Sequence, residues 1–406
     1  MLGSSGLSLG AGARNSTLIT SAIGLGQILN WGSVFYLIAI IARPVEQETG
    51  WSFTAIIAGH ALGLLVAGLV SPRVGRLIER LGGRRVLAGA SLLMACGQVA
   101  LSLSNSLAGW YGAWALLGLA MACGLYDAAF STLSQIFGRD ARGAITNVTL
   151  FGGLASTICW PLTAYMIAQI GWRDACLVFA LIHLCLALPM HLCLVPQTLL
   201  KLPLQPEEAI EEGDEPQMLS PVYFLLSIIL MVAASVGAIV SVHLIALLQA
   251  RGLDLAVAVG MGALFGPAQV GARILERLFG GKLHPVWTLV ISVVLTCLGL
   301  VLLGLHAGVA LIAVALLLYG AGNGINSIAK GTVPLVLFGP RFYARIMGRL
   351  ALPSLIAQAL APALVALLME ARGSESALHV LVFLTLANCA AVLWLAHMTR
   401  AERAVD

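Results

Sequence analysis

Two charges stand where an apolar chain has little reason to hold them. Lys330 lies within the hydrophobic run 309 to 338, eight residues before Phe338 and so about 12 Å from that end at 1.5 Å per residue. Asp127 lies in the run 108 to 137, ten residues before Phe137, about 15 Å from its end. A charge at such depth in hydrocarbon costs a few kcal/mol even on insertion scales, so each needs a partner or a water-filled cavity. A carboxylate whose access alternates between two aqueous sides can bind and release a proton, because burial and a nearby ammonium act on it in opposite senses. An ammonium attracts an anion. The pair therefore reads as substrate and proton handling, as an ion-pair latch between two halves of the chain, or as two charges that never meet.

Polar residues recur beside both charges at helical spacing. Asn323, Asn326 and Ser327 precede Lys330 in a stripe at i, i+3, i+4 and i+7, and Gln27, Asn30 and Trp31 recur at i, i+3 and i+4 in GLGQILNWGSVFY. Such stripes face protein or water rather than lipid, and a polar row with an aromatic suits a small polar ligand. Interhelical hydrogen bonding by the amides explains the Gln27, Asn30 and Trp31 stripe equally well. The soft and imidazole groups His183, Cys185, Met190, His191 and Cys193 suggest copper or zinc, but each His-x-Cys pair is two residues apart and shares no helix face, so no metal site is expected. His60 and His243 are candidates for proton coupling or for packing. No G-x-x-x-x-G-K-[ST] motif occurs, which leaves ATP-driven chemistry unsupported and calls for no cofactor.

What must position these groups is membrane helix. Hydrophobic residues make up 60% of the 406-residue chain and charged residues only 10%, against about 45–50% and about 25% in soluble domains. Twelve apolar stretches are read at 17–42, 53–72, 85–104, 108–137, 144–170, 173–195, 221–249, 255–279, 285–304, 309–338, 343–370 and 377–398. Most approach or exceed the roughly 20 residues that cross a bilayer core as helix. They lack the period-two alternation of a transmembrane barrel. The first is read as a retained helix because no cleavage site precedes it. The reading is an all-α integral membrane protein with the bilayer and a small molecule as partners. The formal charge of +4 reflects topology rather than nucleic-acid binding, and no catalytic residues are assigned.

Charge in the short loops sets orientation. Placing the termini and even-numbered loops in the cytoplasm puts Arg14, Arg73, Arg76, Arg80, Arg84, Arg85, Arg139, Arg142, Lys201, Arg273, Arg277, Lys282, Arg341, Arg345, Arg349, Arg400 and Arg403 there, 17 of the 22 basic residues. A multi-pass protein of the cell membrane with both termini cytoplasmic is therefore expected, acting as a monomer. The longest polar interruption carries Glu207, Glu208, Glu211, Glu212, Asp214 and Glu215 among prolines, and reads as a solvated cytoplasmic linker. It divides an N-terminal six-helix bundle, 1–195, from a C-terminal one, 221–406, with the linker at 196–220.

The halves repeat each other. GLYDAAFSTLSQIFG from Gly124 parallels GINSIAKGTVPLVLFG from Gly324, matching Gly124, Ala129 and Thr132 to Gly324, Ala329 and Thr332. RLIERLGGR from Arg76 parallels RILERLFGGK from Arg273. Two parallel six-span repeats follow, placing Asp127 and Lys330 at similar depths on equivalent faces. Pro161 and Pro362 occupy equivalent positions too and read as kinks.

GRLIERLGGRRVL, Gly75 to Leu87, resembles the major facilitator superfamily signature G-x-L-A-D-R-x-G-R-K-x-x-L, with Gly75, Leu77, Arg80, Gly82, Arg84 and Leu87 in place and Glu79 standing for Asp. The resemblance implies two pseudosymmetric six-helix bundles of twelve transmembrane helices and transport by alternating access. Spans one, four, seven and ten then line a central cavity, with Asp127 and Lys330 on opposite walls. It also implies a cytoplasmic gate of Gly75, Glu79, Arg80, Gly82 and Arg84, in which Glu79 meets the start of span eleven near Phe342 to Arg345. On the residues alone, topogenic charges on a tight turn are the alternative reading.

RPVEQETGWS, Arg43 to Ser52, is similar to the P-L-x-x-E-F-G-W-S pattern of monocarboxylate porters and oxalate:formate antiporters, with Pro44, Glu48, Gly50, Trp51 and Ser52 matching. That family holds its carboxylate with an arginine in span eight, for which Arg273 is the candidate; its alignment with Arg76 and its neighbour Glu276 instead suggest a loop anchor. The expected function is secondary active, proton-coupled transport of a small organic anion such as a monocarboxylate. Export of amphipathic toxic compounds, metal-ion transport and a non-transporting membrane sensor are the alternatives.

Overall fold

The computed structural model describes residues 6–197, 220–305 and 308–403. The acidic run 207–215, which carries the six linker carboxylates, lies outside the described residues. The chain divides into two compact units, the first of residues 1–200 with 340–348, the second of 201–339 with 349–406.

Among the described residues, the first unit holds six long helices. α1 runs from Gly6–Asn30 through a π-helical turn, Trp31–Phe35, into Leu37–Thr49. α2 is Phe53–Leu81 and α3 is Gly83–Ser102. α4 is Leu107–Gly124 followed by Tyr126–Phe137. α5 begins at Ala141–Gly153 and continues into Ala155–Ile182 as far as Gly171, whose positive φ of 80° ends it. α6 takes up the rest, through a second π-helical turn, His183–Ala187, into Leu188–Leu194.

In the second unit, α7 is Pro221–Ala250, α8 is Leu255–Ala263 with Phe265–Phe279, α9 is Pro285–Gly304 and α10 is Val309–Phe338. α11 is Tyr343–Arg372, whose opening residues belong to the first unit, and α12 is Glu375–Arg403.

Among the described residues nine helical runs are long and apolar enough to cross a bilayer. One of them, Leu107–Leu194, has 88 residues, about 130 Å of helix against a core of about 30 Å. Gly138 and Gly171, both at positive φ, cut it into α4, α5 and α6. The stretch 255–279 is divided at Leu264 into two helices, each too short to cross alone. All twelve expected stretches are helical, and the fold is the all-α architecture expected of them.

Packing repeats between the units. α2 and α3 pack on α4 in the first, as α8 and α9 pack on α10 in the second. The turns repeat as well: the positive-φ glycines Gly50 and Gly252, Gly138 and Gly339, and Gly171 and Gly373 sit at equivalent places, where a residue with a Cβ would be strained. In the second unit the apolar core gathers Val236, Leu248, Leu300, Leu316, Tyr319 and Leu381 from α7, α9, α10 and α12. In the first, Trp110 and Trp114 are fully buried and meet edge to face at 6.0 Å. Large apolar side chains such as Leu69, Tyr165, Phe383 and Trp394 remain exposed, as lipid-facing positions are.

Candidate functional site

α4 is broken at one residue. Leu125 leaves the helix with φ −80° and ψ −171°, so the Gly124 carbonyl accepts from outside its own helix. Gln27 Nε2 donates to it at 2.7 Å and Asn30 Nδ2 at 2.8 Å. Both amides are 1% exposed, and Trp31 Nε1 donates to Gln27 Oε1 at 3.2 Å. The stripe read from the α1 sequence thus meets α4 at its break.

Asp127 follows immediately, in the first turn of the half-helix Tyr126–Phe137. A helix start carries unbonded N–H groups and a partial positive charge, which favour a carboxylate there. Asp127 is half-buried. Its neighbour Tyr126 lies 5.0 Å from Trp31, ring centre to ring centre, and stacks on Phe130 at 5.0 Å. Interrupted helices whose ends face polar groups are how transporters build sites at membrane depth.

In the second unit α10 runs unbroken through the equivalent position. The Gly324 carbonyl nonetheless takes a side-chain donor from another helix, Arg273 Nε at 3.1 Å, while Arg273 Nη2 donates to Ser327 Oγ at 3.0 Å and Gln269 Oε1 at 3.1 Å. Arg273 is 4% exposed and reaches from α8 into α10, so it is built into the bundle interior rather than lying along a loop. Asn323 and Asn326 line a cavity of about 20 Å³, with Ser292 and Thr296 of α9 and Thr385 and Asn388 of α12. It is large enough for one water. Lys330 is half-buried on the same helix between the buried Ala329 and Gly331.

The signature loop after α2 is held on three sides. Gly82 turns the chain with φ 79°. Gln135 of α4 clamps both flanks, its Oε1 accepting from Gly83 N at 3.1 Å and its Nε2 donating to Ile78 O at 2.8 Å. Glu79 accepts from Arg345 at the opening of α11, and a side chain at Gly75 would strike the Ala344 carbonyl. Arg80 is exposed and Arg84 half-buried. Gln135 escaped the sequence reading: nothing in its spacing marks an amide that fastens a loop more than 50 residues away.

The exit of α1 is tied down by Glu48, whose carboxylate accepts from Trp172 Nε1 at 2.6 Å and Arg173 Nε at 2.8 Å, and Ser52 caps α2 by accepting from Ala55 N. The histidines of α6 are held by hydroxyls, His183 by Ser33 at 2.7 Å and His191 by Ser91 at 3.0 Å. His60 packs among Phe35 and Trp114, and His243 Nε2 meets the Pro362 carbonyl at 2.9 Å. Among the described residues no three His, Cys, Asp or Glu side chains gather as metal ligands would.

Comparison with known proteins agrees with this architecture. The chain is 30% identical over 175 residues to monocarboxylate transporter 6 of Mus musculus, covering 42% of this chain and 35% of that protein. It is 28% identical over 176 residues to the Homo sapiens counterpart, covering 42% and 33%. An uncharacterized 38 kDa protein in the 23S RNA operon of Thermoproteus tenax is 29% identical over 155 residues, covering 38% and 40%. These matches thus span about a third to two fifths of the relatives' own lengths.

Among solved structures, the human organic anion transporter MFSD10 (TETRAN) superposes with a TM-score of 0.73 at 16% identity, covering 93% of this chain and 99% of that one. The proton:xylose symporter XylE superposes with a TM-score of 0.72 at 11% identity, covering 93% and 95%. The family profile of the Major Facilitator Superfamily matches residues 23–328. The chain is a multi-pass membrane protein belonging to the major facilitator superfamily.

Proposed function

We propose that this transporter moves a small organic anion, a monocarboxylate first among them, by alternating access coupled to protons. The observation that carries the proposal is the break in α4: Asp127 opens a half-helix beside the Gln27, Asn30 and Trp31 stripe, a hydrogen-bonding surface next to a group that can load and release a proton. Lys330 and Arg273 supply the cationic side of anion recognition, and Asn323 and Asn326 contribute hydrogen bonding along α10. The match to monocarboxylate transporter 6 and the Arg43–Ser52 motif favour a carboxylate over other anions.

The loop of Gly75, Glu79, Arg80, Gly82 and Arg84 serves as the cytoplasmic gate, closed while Glu79 holds Arg345. The protein sits in the cell membrane as a monomer with both termini in the cytoplasm, in accord with the basic loops. A second reading, export of amphipathic compounds, draws on the aromatic group of Trp31, Phe35, Tyr36 and Trp160, which offers ring faces to an apolar ligand.

Counterflow in proteoliposomes decides between them. Labelled L-lactate exchanging in the parent protein supports the proposal. Exchange of an amphipathic dye but not of lactate, pyruvate or oxalate overturns it in favour of the exporter.

A further inference from the structure

Both π-helical turns of the first unit meet at one hydrogen bond. The α1 turn opens at Trp31, with Tyr36 N bonded to the Trp31 carbonyl at 2.9 Å, and the α6 turn opens at His183, with Leu188 N bonded to the His183 carbonyl. Ser33, in the middle of the first turn, joins His183, the first residue of the second, through Oγ and Nε2 at 2.7 Å. Gln98 of α3 closes the junction by donating Nε2 to the Ser33 carbonyl. Ser33, Gln98 and His183 are each 0% exposed.

A π-turn carries an extra residue in the helical repeat and is poorer in hydrogen bonding than regular α-helix, so it persists where something outside the helix rewards it. Here the reward is visible: a side chain donates to the carbonyl in the widened turn, and an imidazole pairs with the hydroxyl. The turn has little freedom to slide, because a side chain at Gly32 would strike Cys159 Sγ.

The residue that opens the α1 turn is also the aromatic member of the candidate site. Trp31 donates to Gln27, which holds the Gly124 carbonyl at the break in α4, and its ring lies against Tyr126, the residue before Asp127. The added residue of the π-turn rotates everything after it relative to what precedes, by about 100° for one residue in a 3.6-residue period. Loss of the turn would therefore rotate the segment that carries Gln27 and Trp31 relative to the rest of α1 and draw both from the Gly124 carbonyl and the Tyr126 ring that flank the break.

We propose that His183 is a positioning residue: through Ser33 it locks the π-turn of α1 and so fixes Trp31 and Gln27 at the α4 break, although α6 itself contributes no group to the site. The role in transport rests on the carboxylate reading given above, whereas the locking of the turn does not. His183→Leu removes the ring nitrogen from Ser33; His183→Gln keeps a polar group within reach.

The test compares His183→Leu, His183→Gln, Ser33→Ala and the double variant Ser33→Ala/His183→Leu with the parent in lipid nanodiscs. Hydrogen exchange over residues 31–37 reads the turn. The Trp31 emission, obtained as the difference between each protein and its Trp31→Phe partner, reads the ring. L-lactate uptake in proteoliposomes reads the site.

His183→Leu and Ser33→Ala are expected to speed exchange in the turn by about tenfold or more and to shift the Trp31 emission, with His183→Gln restoring both and the double variant no worse than either single one. The KM for lactate rises by about tenfold while maximal rate stays within a factor of a few, the split expected when substrate binding rather than turnover is disturbed. Unchanged exchange and unchanged Trp31 emission in a folded His183→Leu protein overturn the proposal. So does faster exchange without any change in Trp31 emission, which makes the junction structural only. If the parent does not carry lactate the carboxylate reading fails by itself, and the exchange and emission measurements still decide whether His183 positions Trp31.

Discussion

Glu79 Oε2 receives two hydrogen bonds from one guanidinium, Arg345 Nη2 at 3.0 Å and Arg345 Nε at 3.2 Å. The side chains are 15% and 26% exposed, so this pair is better shielded than a surface bridge. Beneath it a side chain at Gly75 would strike the Ala344 carbonyl and come within 3.2 Å of Arg345 Cα, so the backbones approach as closely as glycine allows.

Removing either charge strands the other in a half-buried place. Glu79→Gln and Arg345→Gln should each destabilise the protein by about 1–3 kcal/mol, between the range for exposed pairs and that for fully buried ones. Denaturation in detergent followed by tryptophan emission measures this. Exchanging the two charges, Glu79→Arg with Arg345→Glu, should recover part of the loss. If the double variant is as unstable as the sum of Glu79→Arg and Arg345→Glu measured singly, the pair makes no specific contribution.

Gln135 fastens the same loop by a different bond type. Gln135→Ala leaves both the Gly83 N–H and the Ile78 carbonyl without their side-chain partner and should cost about 2 kcal/mol, at about 1 kcal/mol for each hydrogen bond lost. Gln135→Glu keeps the acceptor for Gly83 and loses the donor to Ile78. It should fall between alanine and the parent in thermal stability. Equal losses for the two variants would mean that packing rather than hydrogen bonding holds Gln135.

The contrast between Gly124 and Gly324 explains how far the chain can be read without coordinates. The repeat alignment pairs them, each is followed by a large aliphatic residue, and each carbonyl accepts a side chain from another helix. Yet α4 breaks after the first and α10 continues through the second. Nothing within either helix announces this, because two amides of α1, remote in sequence, accompany the first carbonyl and a single guanidinium accompanies the second.

The helical stretches, by contrast, are written in hydrophobic length, and the turns in Gly50, Gly82, Gly138 and their counterparts. The α1 stripe was legible as polar spacing, but its target was not. The π-turns at Trp31 and His183 were illegible for a related reason: what sustains them is Ser33, Gln98 and His183 meeting from three helices.

Glu48 offers a test of the motif at the end of α1. It accepts from Trp172 at 2.6 Å and Arg173 at 2.8 Å, while Arg173 also donates to the Ser102 and Ser104 carbonyls at the end of α3. Half of the Glu48 side chain is exposed, so solvent screens the ion pair, and Glu48→Ala should cost only about 1 kcal/mol. Glu48→Gln keeps one acceptor oxygen and should cost less. Thermal unfolding orders the three proteins, and a rank of glutamine below alanine would sink this assignment. L-lactate KM should be unchanged in both variants, because the contact fastens helix ends away from the α4 break.

Asp127 and Lys330 must fail in different ways if they serve the roles proposed for them. Asparagine at 127 keeps the size and hydrogen-bonding capacity of aspartate at the start of the half-helix but carries no exchangeable charge. A carrier so altered can still swap one anion for another across the membrane, since exchange needs no net proton movement. Accumulation of L-lactate driven by an imposed pH gradient should fall to the level of empty liposomes in Asp127→Asn, with counterflow within a factor of about three of the parent. Lys330→Ala should lose recognition instead: KM for lactate rises by about tenfold or more, as expected for a lost charged contact of 1.4 kcal/mol or above, and Lys330→Arg retains most of it by keeping the charge. Proton-driven accumulation surviving in Asp127→Asn would remove the carboxylate from coupling. An unchanged KM in Lys330→Ala would leave Arg273 as the cation to test for anion binding.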